Sequence, residues 1–287
     1  MAEVEVVHWN PVRPIVSAPY SSVIRVKRPV GNFGDLLGPV IVDRMLASRG
    51  IADGITDGIA DGVAPRSARL LAVGSILQYA RTGDIVWGSG VNGKIPADAH
   101  DFASLDVRAV RGPKTRDVLA GRGIDAPEVY GDPALLLADL DPRLREWAAE
   151  PRHEVTVVPN LHDLGRMRFR RAVQSPKAAV DTVLRRIAQS RLVVGSSLHG
   201  IVVAESLGIP ARLVRSAHEN PFKYDDYYAA TGRPTSTPAH DVRSAIEARG
   251  EPPIEWDPAP LKAAFPWDLW HRDPSPGTTA DLGEAQQ

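Results

Sequence analysis

The sequence contains no cysteine. This absence excludes disulfide bridges, thiolate metal sites and a cysteine nucleophile. No hydrophobic run approaches the roughly 20 residues of a membrane-spanning helix, and the first ten residues, MAEVEVVHWN, lack the basic and apolar regions of a signal peptide. A formal net charge of −1 gives no support for a nucleic-acid-binding or membrane-binding surface. These absences favour a cytoplasmic enzyme or binding protein.

The composition indicates a sizeable core. The chain has 287 residues, of which 43% are hydrophobic, and this length leaves room for two domains. Residues 139–152 are charged and contain two prolines, which is typical of an inter-domain linker. We therefore expect one domain over 1–145, a second over 146–249, and a tail over 250–287 with a disordered end. Tryptophans rarely stay fully exposed, so we expect those of the tail to pack against a domain surface: Trp256, Trp267 and Trp270.

Short apolar runs alternate with stretches of helical periodicity, which predicts an α/β fold with parallel strands. Strands are predicted at 3–9, 68–73, 84–87, 106–110, 128–130, 154–158, 191–195 and 211–214. Helices are predicted at 40–47, 114–122, 176–190, 201–207 and 242–249, with Ser175 capping the third. The DG-punctuated stretch 51–65 is interpreted as a loop.

The most informative stretch is RLVVGSSLHGIVVAESLGIPARLV at residues 191–214. It predicts a strand, a small polar turn and a helix. Such a turn lies where open α/β sheets bind ligands, and the helix dipole favours an anion there. His199 adds a group that exchanges a proton near neutral pH. We therefore place the active site at this turn.

Five motifs in order resemble those of the polysaccharide pyruvyl transferase family. They are NFGD at 32–35, VRGPKTRDVLAGRGI at 110–124, GDPALLL at 131–137, SSLHGIVVAESLGIP at 196–210 and KYDDYY at 223–228. The resemblance implies two Rossmann-like domains facing across a cleft, the glycosyltransferase-B arrangement. It also implies phosphoenolpyruvate as donor and a saccharide hydroxyl pair as acceptor, which together give a pyruvate ketal. No cofactor or metal is implied, and a lipid-linked acceptor would bring the protein to a membrane surface.

One position departs from the family. Many members carry arginine immediately before the leucine and histidine of the main motif, whereas this chain has Ser197. A planar guanidinium that would bind the donor's carboxylate or phosphate is therefore missing at this position. Either another cation supplies the charge, or the donor binds differently.

Three residues are our candidates for the chemistry. His199 would donate the proton as general acid, Asp35 would accept a proton from a sugar hydroxyl, and Arg111 would bind an anionic group of the donor. Each also has a structural alternative, which is packing or capping for His199, capping for Asp35 and an exposed surface position for Arg111. The candidate substrate-binding residues are Asn32, Gly34, Ser89, Ser196, Ser197, Leu198, Gly200, His162, Arg166, Arg168 and Lys223.

Two other functions stay open at this point. A nucleotide-sugar-dependent glycosyltransferase of the same architecture would bind a nucleoside diphosphate. A non-catalytic saccharide- or phosphate-binding relative would explain Ser197. The identity of the acceptor depends on loops for which no transferable code exists.

Overall fold

The computed structural model describes residues 4–14, 27–52, 55–59, 68–167 and 171–270. The strands in these ranges are β1 (Val4–His8), β2 (Val12–Pro14), β3 (Lys27–Pro29), β4 (Ile55–Ile59), β5 (Ala68–Leu71), β6 (Ile85–Trp87), β7 (Asp106–Ala109), β8 (Thr156–Val157), β9 (Val193–Gly195) and β10 (Ala211–Leu213). The α-helices are α1 (Leu37–Ala47), α2 (Pro113–Ala120), α3 (Leu137–Leu140), α4 (Pro142–Ala149), α5 (Val180–Ala188), α6 (Leu198–Ser206), α7 (Phe222–Ala230), α8 (Val242–Ala248) and α9 (Pro258–Ala263).

The first sheet is parallel and has the strand order β4-β1-β5-β6-β7. Its inner strand β1 is buried along its whole length, in keeping with the valines at three of its five positions. Strand β4 lies on one side of β1, and β5 lies on the other. The chain order reverses between β1 and β5, so their carboxyl ends form a topological switch point of the kind that binds ligands.

The second sheet is also parallel, with the order β10-β9-β8. Helix α5 connects β8 to β9, and α6 connects β9 to β10. The predicted α/β class with parallel strands is thus confirmed, while the glycosyltransferase-B arrangement stays a prediction. Strands β2 and β3 form a separate antiparallel ribbon that the sequence did not indicate.

Several local predictions were wrong. Within the stretch interpreted as a loop, residues 55–59 form β4, an edge strand that needs only one neighbour. The helix predicted from 176 begins at Val180 because residues 175–178 form a turn, closed by a 3.2 Å bond from Ala178 N to Ser175 O. Helix α1 begins before the predicted Val40, since Pro39 lies in its first turn, where no N–H donor is needed.

The stretch predicted as a linker is mostly helical. It contains the end of α3 and all of α4, which packs against α5. Asp141 accepts a bond from Arg143 N at the start of α4, and its other oxygen lies 2.7 Å from the guanidinium of Arg44 on α1. The division of the chain into domains at residue 145 stays a prediction.

The largest apolar cluster joins side chains of both sheets, Val6 and Trp87 among those of the first sheet and Val193 and Leu213 among those of the second. Residues 251–270 pack onto this core. Trp87 Nε1 donates to Leu261 O at 2.8 Å, and Trp256 Nε1 donates to Tyr130 O at 2.9 Å. The end of the tail lies outside the described residues. Across the described ranges, no helix has both the length and the apolar character to cross a membrane.

Candidate active site

A cavity of about 280 Å³ opens at the carboxyl ends of both sheets. Its walls come from the segments that follow β1, β5 and β6 of the first sheet and β8, β9 and β10 of the second, together with the turn before α1. The lining residues are Trp9, Asn32, Asp35, Ser75, Ile76, Gln78, Tyr79, Asn92, Lys94, Asn160, Leu161, His162, Ser197, Leu198, His199, Glu219 and Lys223. Both parallel sheets therefore direct their ligand-binding ends into one space.

His199 lies in the first turn of α6 and contacts Gly34 closely. A Cβ atom at position 34 would lie 2.3 Å from His199 Nδ1 and 3.0 Å from Cγ. Real Cβ atoms essentially never come so close, so only glycine allows the imidazole its observed position. Gly34 of the NFGD motif thus contacts His199 of the main motif, although the two motifs were identified separately.

The other side of the imidazole faces a buried carboxylate. His199 Nε2 lies 3.6 Å from Asp132 Oδ2, and the Asp132 side chain has no solvent exposure. The distance exceeds that of a hydrogen bond, so the two side chains attract each other by charge only when the imidazole is protonated. Within the described part of the chain, neither of these two atoms has a hydrogen-bond partner.

Asp35 belongs to the same group of side chains. Its Oδ2 accepts a bond of 2.5 Å from Asn32 Nδ2. Burial raises the pKa of the Asp35 carboxyl, although the Asn32 bond and the positive charges of His199 and Lys223 act in the opposite direction. A carboxyl with a raised pKa in a cavity is suited to proton transfer near neutral pH.

Two lysines share one carboxylate at the opposite wall. Lys223 Nζ lies 2.9 Å from Glu219 Oε2, and Lys94 Nζ lies 3.0 Å from the same oxygen. Burial lowers the pKa of Lys223, and the Glu219 charge only partly offsets this effect. The two lysines and the glutamate leave one net positive charge, which favours an anionic ligand.

The two serines of the main motif have different surroundings. Ser196 is fully buried, where its hydroxyl donates to Asp163 Oδ2 at 2.8 Å and accepts from Asn160 N at 3.1 Å. Ser197 lines the cavity and caps α6 by accepting from Gly200 N at 3.3 Å. The helix begins at Leu198, three residues before its predicted start, so His199 is a helix residue rather than a turn residue. The hydroxyl of Ser196 is thus bonded within the protein instead of facing a ligand.

Arg111 was expected to present its guanidinium at the sheet edge. The structure instead buries it fully, with Nε 3.0 Å and Nη2 2.9 Å from Asp226 Oδ2. The remaining bonds of the guanidinium go to Val91 O at 2.7 Å and to Ser75 Oγ at 2.5 Å. Arg111 therefore lies behind the cavity wall and touches the cavity only through Ser75.

The other predicted residues divide between the cavity and its surroundings. His162 and Leu198 line the cavity, and Gly200 packs so tightly that a Cβ would lie 2.8 Å from Val158 Cβ. Ser89 is buried and donates to Gly74 O at 2.9 Å, away from the cavity. Arg166 is exposed and outside the lining set. Arg168 lies outside the described residues.

The sequence analysis missed several residues of this site. Asp132 was included in the GDPALLL motif but was given no role, and Lys94 and Glu219 lie in loops without a motif. Trp9 and Gln78, which also line the cavity, directly follow or lie near the ends of β1 and β5. Their position after a strand was therefore the one signal in the sequence that could have identified Trp9 and Gln78. No three His, Asp or Glu side chains in the described ranges are grouped as a metal site.

The fold and the cavity define an α/β protein that gathers acid–base groups and lysines where parallel strands end. A family model for polysaccharide pyruvyl transferases matches residues 32–218, which is more than half of the chain. The chain therefore belongs to the polysaccharide pyruvyl transferase family.

Two individual proteins are similar to this chain. The succinoglycan biosynthesis protein ExoV of Rhizobium meliloti (strain 1021) is 31% identical over 195 residues, which are 62% of this chain and 59% of that protein. This chain thus matches less than two thirds of the relative's length. The crystal structure of an uncharacterized protein from Klebsiella pneumoniae subsp. pneumoniae aligns with a TM-score of 0.44 and 13% identity, over 79% of this chain and 87% of that one. A likeness at that level carries no conclusion about function.

Proposed function

We propose that this protein transfers the pyruvyl group of phosphoenolpyruvate to two hydroxyls of a saccharide, forming a pyruvate ketal in polysaccharide or glycoconjugate biosynthesis. The observation that supports this function best is that Asp35, His199, Lys94 and Lys223 line one cavity in a member of this family. The cytoplasm is the location we propose. A lipid-linked acceptor would then be met at the membrane surface.

Donor binding requires cations, because phosphoenolpyruvate carries both a carboxylate and a phosphate. Lys223 and Lys94 offer two ammonium groups, and their shared partner Glu219 can release one of them to an incoming anion. This pair supplies the positive charge that Ser197 does not. The first turn of α6 adds the positive end of a helix dipole to the same cavity.

The chemical steps need one proton donor and one proton acceptor. His199 protonates the methylene carbon of the donor, and the oxygen of one acceptor hydroxyl bonds to the adjacent carbon. Asp35 takes the proton that this hydroxyl loses. The carbon–oxygen bond to phosphate then breaks with its electron pair on the phosphate oxygen, and the second hydroxyl oxygen bonds to the same carbon. The proton of this second hydroxyl goes to the phosphate, which leaves as hydrogen phosphate, and the proton held by Asp35 returns to His199. No electrons are exchanged with a redox partner in these steps.

The acceptor would occupy the side of the cavity that belongs to the first sheet. Trp9 offers an aromatic surface there, and Gln78 Oε1 is buried without a hydrogen-bond partner among the described residues. A sugar ring can pack against the indole and donate a hydroxyl to the amide oxygen. We therefore propose the first sheet as the acceptor side and the second sheet as the donor side.

The test is to incubate the purified chain with phosphoenolpyruvate and a panel of methyl pyranosides. We expect inorganic phosphate release together with a new ketal methyl signal in the proton NMR spectrum. The His199→Gln variant serves as the control, and we expect it to lose about 10²-fold or more of the rate. A well-folded sample that releases neither product across the panel, although it binds phosphoenolpyruvate in calorimetry, would contradict the proposal.

A nucleotide-sugar glycosyltransferase is the alternative that the same experiment separates. It predicts binding of a nucleoside diphosphate and no response to phosphoenolpyruvate. A non-catalytic binding relative predicts binding without turnover, and an unchanged phenotype in a strain carrying His199→Ala.

A further inference from the structure

We propose that Asp132 is a positioning residue for His199, holding the imidazole in one orientation. The contribution to the reaction rate rests on the function proposed above. The contact between the two side chains does not rest on that function, because it can be measured without substrate.

Of the two carboxylate oxygens of Asp132, one accepts a hydrogen bond and the other has no hydrogen-bond partner among the described residues. Oδ1 accepts a bond of 3.0 Å from Ala134 N and so fixes the orientation of the carboxyl group. Oδ2 is fully buried and has no hydrogen-bond partner in the described part of the chain. A buried polar atom without a partner is costly, so native structures keep one only with a reason. The nearby positive group is His199 Nε2, at 3.6 Å, which is also buried and unbonded.

Gly34 confines the imidazole of His199 on the side away from Asp132. Gly34 leaves no space for the imidazole to swing away from Asp132, since even a methyl group there would overlap Nδ1. Because Nε2 faces the carboxylate, this contact favours the neutral tautomer that carries its proton on Nε2. The 3.6 Å contact would shorten to a charge-assisted hydrogen bond when the ring is protonated.

Other ionisable groups also act on His199. Asp35 approaches from the turn before α1, but its carboxyl already accepts the Asn32 bond and has a raised pKa. Lys223 and His162 share the cavity with the imidazole. Among the described residues, Asp132 is the fully buried carboxylate directed at Nε2.

The test is Asp132→Asn, which keeps the side-chain shape and the Oδ1 acceptor for Ala134 N. Nitrogen-15 NMR of the neutral His199 ring, assigned with His199→Gln, should show the Nε2-protonated tautomer in the wild type and a mixture of both tautomers in Asp132→Asn, because an amide NH2 group facing the ring no longer favours a proton on Nε2. We expect phosphate release to fall about 10²-fold, with the dissociation constant for phosphoenolpyruvate changed less than twofold.

Asp84→Asn is the matched control. Asp84 is also a buried carboxylate, but it pairs with Arg69 and lies outside the cavity. It should change neither the His199 tautomer nor the rate. An unchanged His199 tautomer in Asp132→Asn would overturn the proposal, as would donor affinity falling in step with the rate.

Two further outcomes are covered. If Asp132→Asn does not fold, Asp132→Glu replaces it. The glutamate should keep the Nε2-protonated tautomer of His199 but slow phosphate release, because its carboxylate is displaced, and a wild-type rate would overturn the positioning role. If the wild type transfers no pyruvyl group, the proposed function fails, while the His199 tautomer still tests the contact with Asp132.

Discussion

Helix α7 carries the charged side chains of Asp226 and Lys223, and of these two only Lys223 lines the cavity. Asp226 lies in a closed network in which Arg111 and Thr115 contact its two oxygens. Lys223, one turn earlier, shares Glu219 with Lys94 at the cavity wall. A side-chain cation can bind a ligand only when some of its hydrogen-bond donors have no partner within the protein. The closed network should therefore contribute stability, whereas the open cluster should contribute binding.

The largest expected effect follows from opening the closed network. Arg111→Met leaves Asp226 buried without its counter-charge, and we expect the free energy of unfolding to fall by about 3–5 kcal/mol. Urea denaturation measures this change. As control, Arg191→Met removes an exposed pair with Glu154 and should cost at most about 1 kcal/mol. If Arg111→Met kept its stability and lost donor affinity, Arg111 would be the ligand-binding residue that its sequence position suggested.

The next effect concerns the open cluster. Lys223→Met should weaken the binding of phosphoenolpyruvate about 10- to 100-fold, since a bond to a charged group contributes about 1.5–3 kcal/mol. The free energy of unfolding should stay constant, because Glu219 keeps Lys94 as a partner. Calorimetric titration of wild type, Lys223→Met and the exposed Lys177→Met separates the site from general charge. Equal affinities in all three would remove Lys223 from the donor site.

The same cluster predicts a dependence on pH. Burial lowers the pKa of Lys223, so its ammonium loses its proton at a lower pH than a free lysine. Donor affinity should therefore decline on the alkaline side earlier than in Lys223→Arg, whose guanidinium stays charged. Calorimetry from neutral to alkaline pH measures the decline, and parallel curves for the two proteins would contradict this prediction.

The smallest effect extends the comparison to Asp35. Because burial raises its pKa, the folded protein binds a proton at Asp35 more tightly than the unfolded chain does, and stability falls as pH rises between the two values. Asp35→Asn should thus raise the thermal midpoint at neutral pH, and this gain should vanish below the ordinary aspartate pKa of about 3.9. Differential scanning calorimetry at both pH values tests the sign. A lower midpoint at neutral pH would mean that ionised Asp35 stabilises the fold.

The sequence predicted well those features that depend on neighbouring residues. The apolar runs located β1, β5, β6 and β7, and the strand–turn–helix pattern located the helix after β9, although it placed His199 in the turn before that helix. It failed where the outcome depends on a distant partner. Arg111 follows a strand as expected, but nothing near it indicates Asp226, 115 residues away in the chain.

The same limit explains the errors at Asp132 and β4. Asp132 before Pro133 does cap a short helical turn, and only the fold shows that its second oxygen faces His199. Residues 55–59 contain Asp and Gly, which disfavour strands, yet pairing with the buried strand β1 holds them extended.

The cavity walls draw on positions from Trp9 to Lys223. No fragment that ends before helix α7 can contain the complete proposed donor site, because Lys223 would be missing. If the proposed site is right, the chain gains donor affinity during synthesis only after most of its core has been made. Binding of phosphoenolpyruvate by a nascent or truncated chain would accordingly report completed assembly rather than the formation of any one sheet.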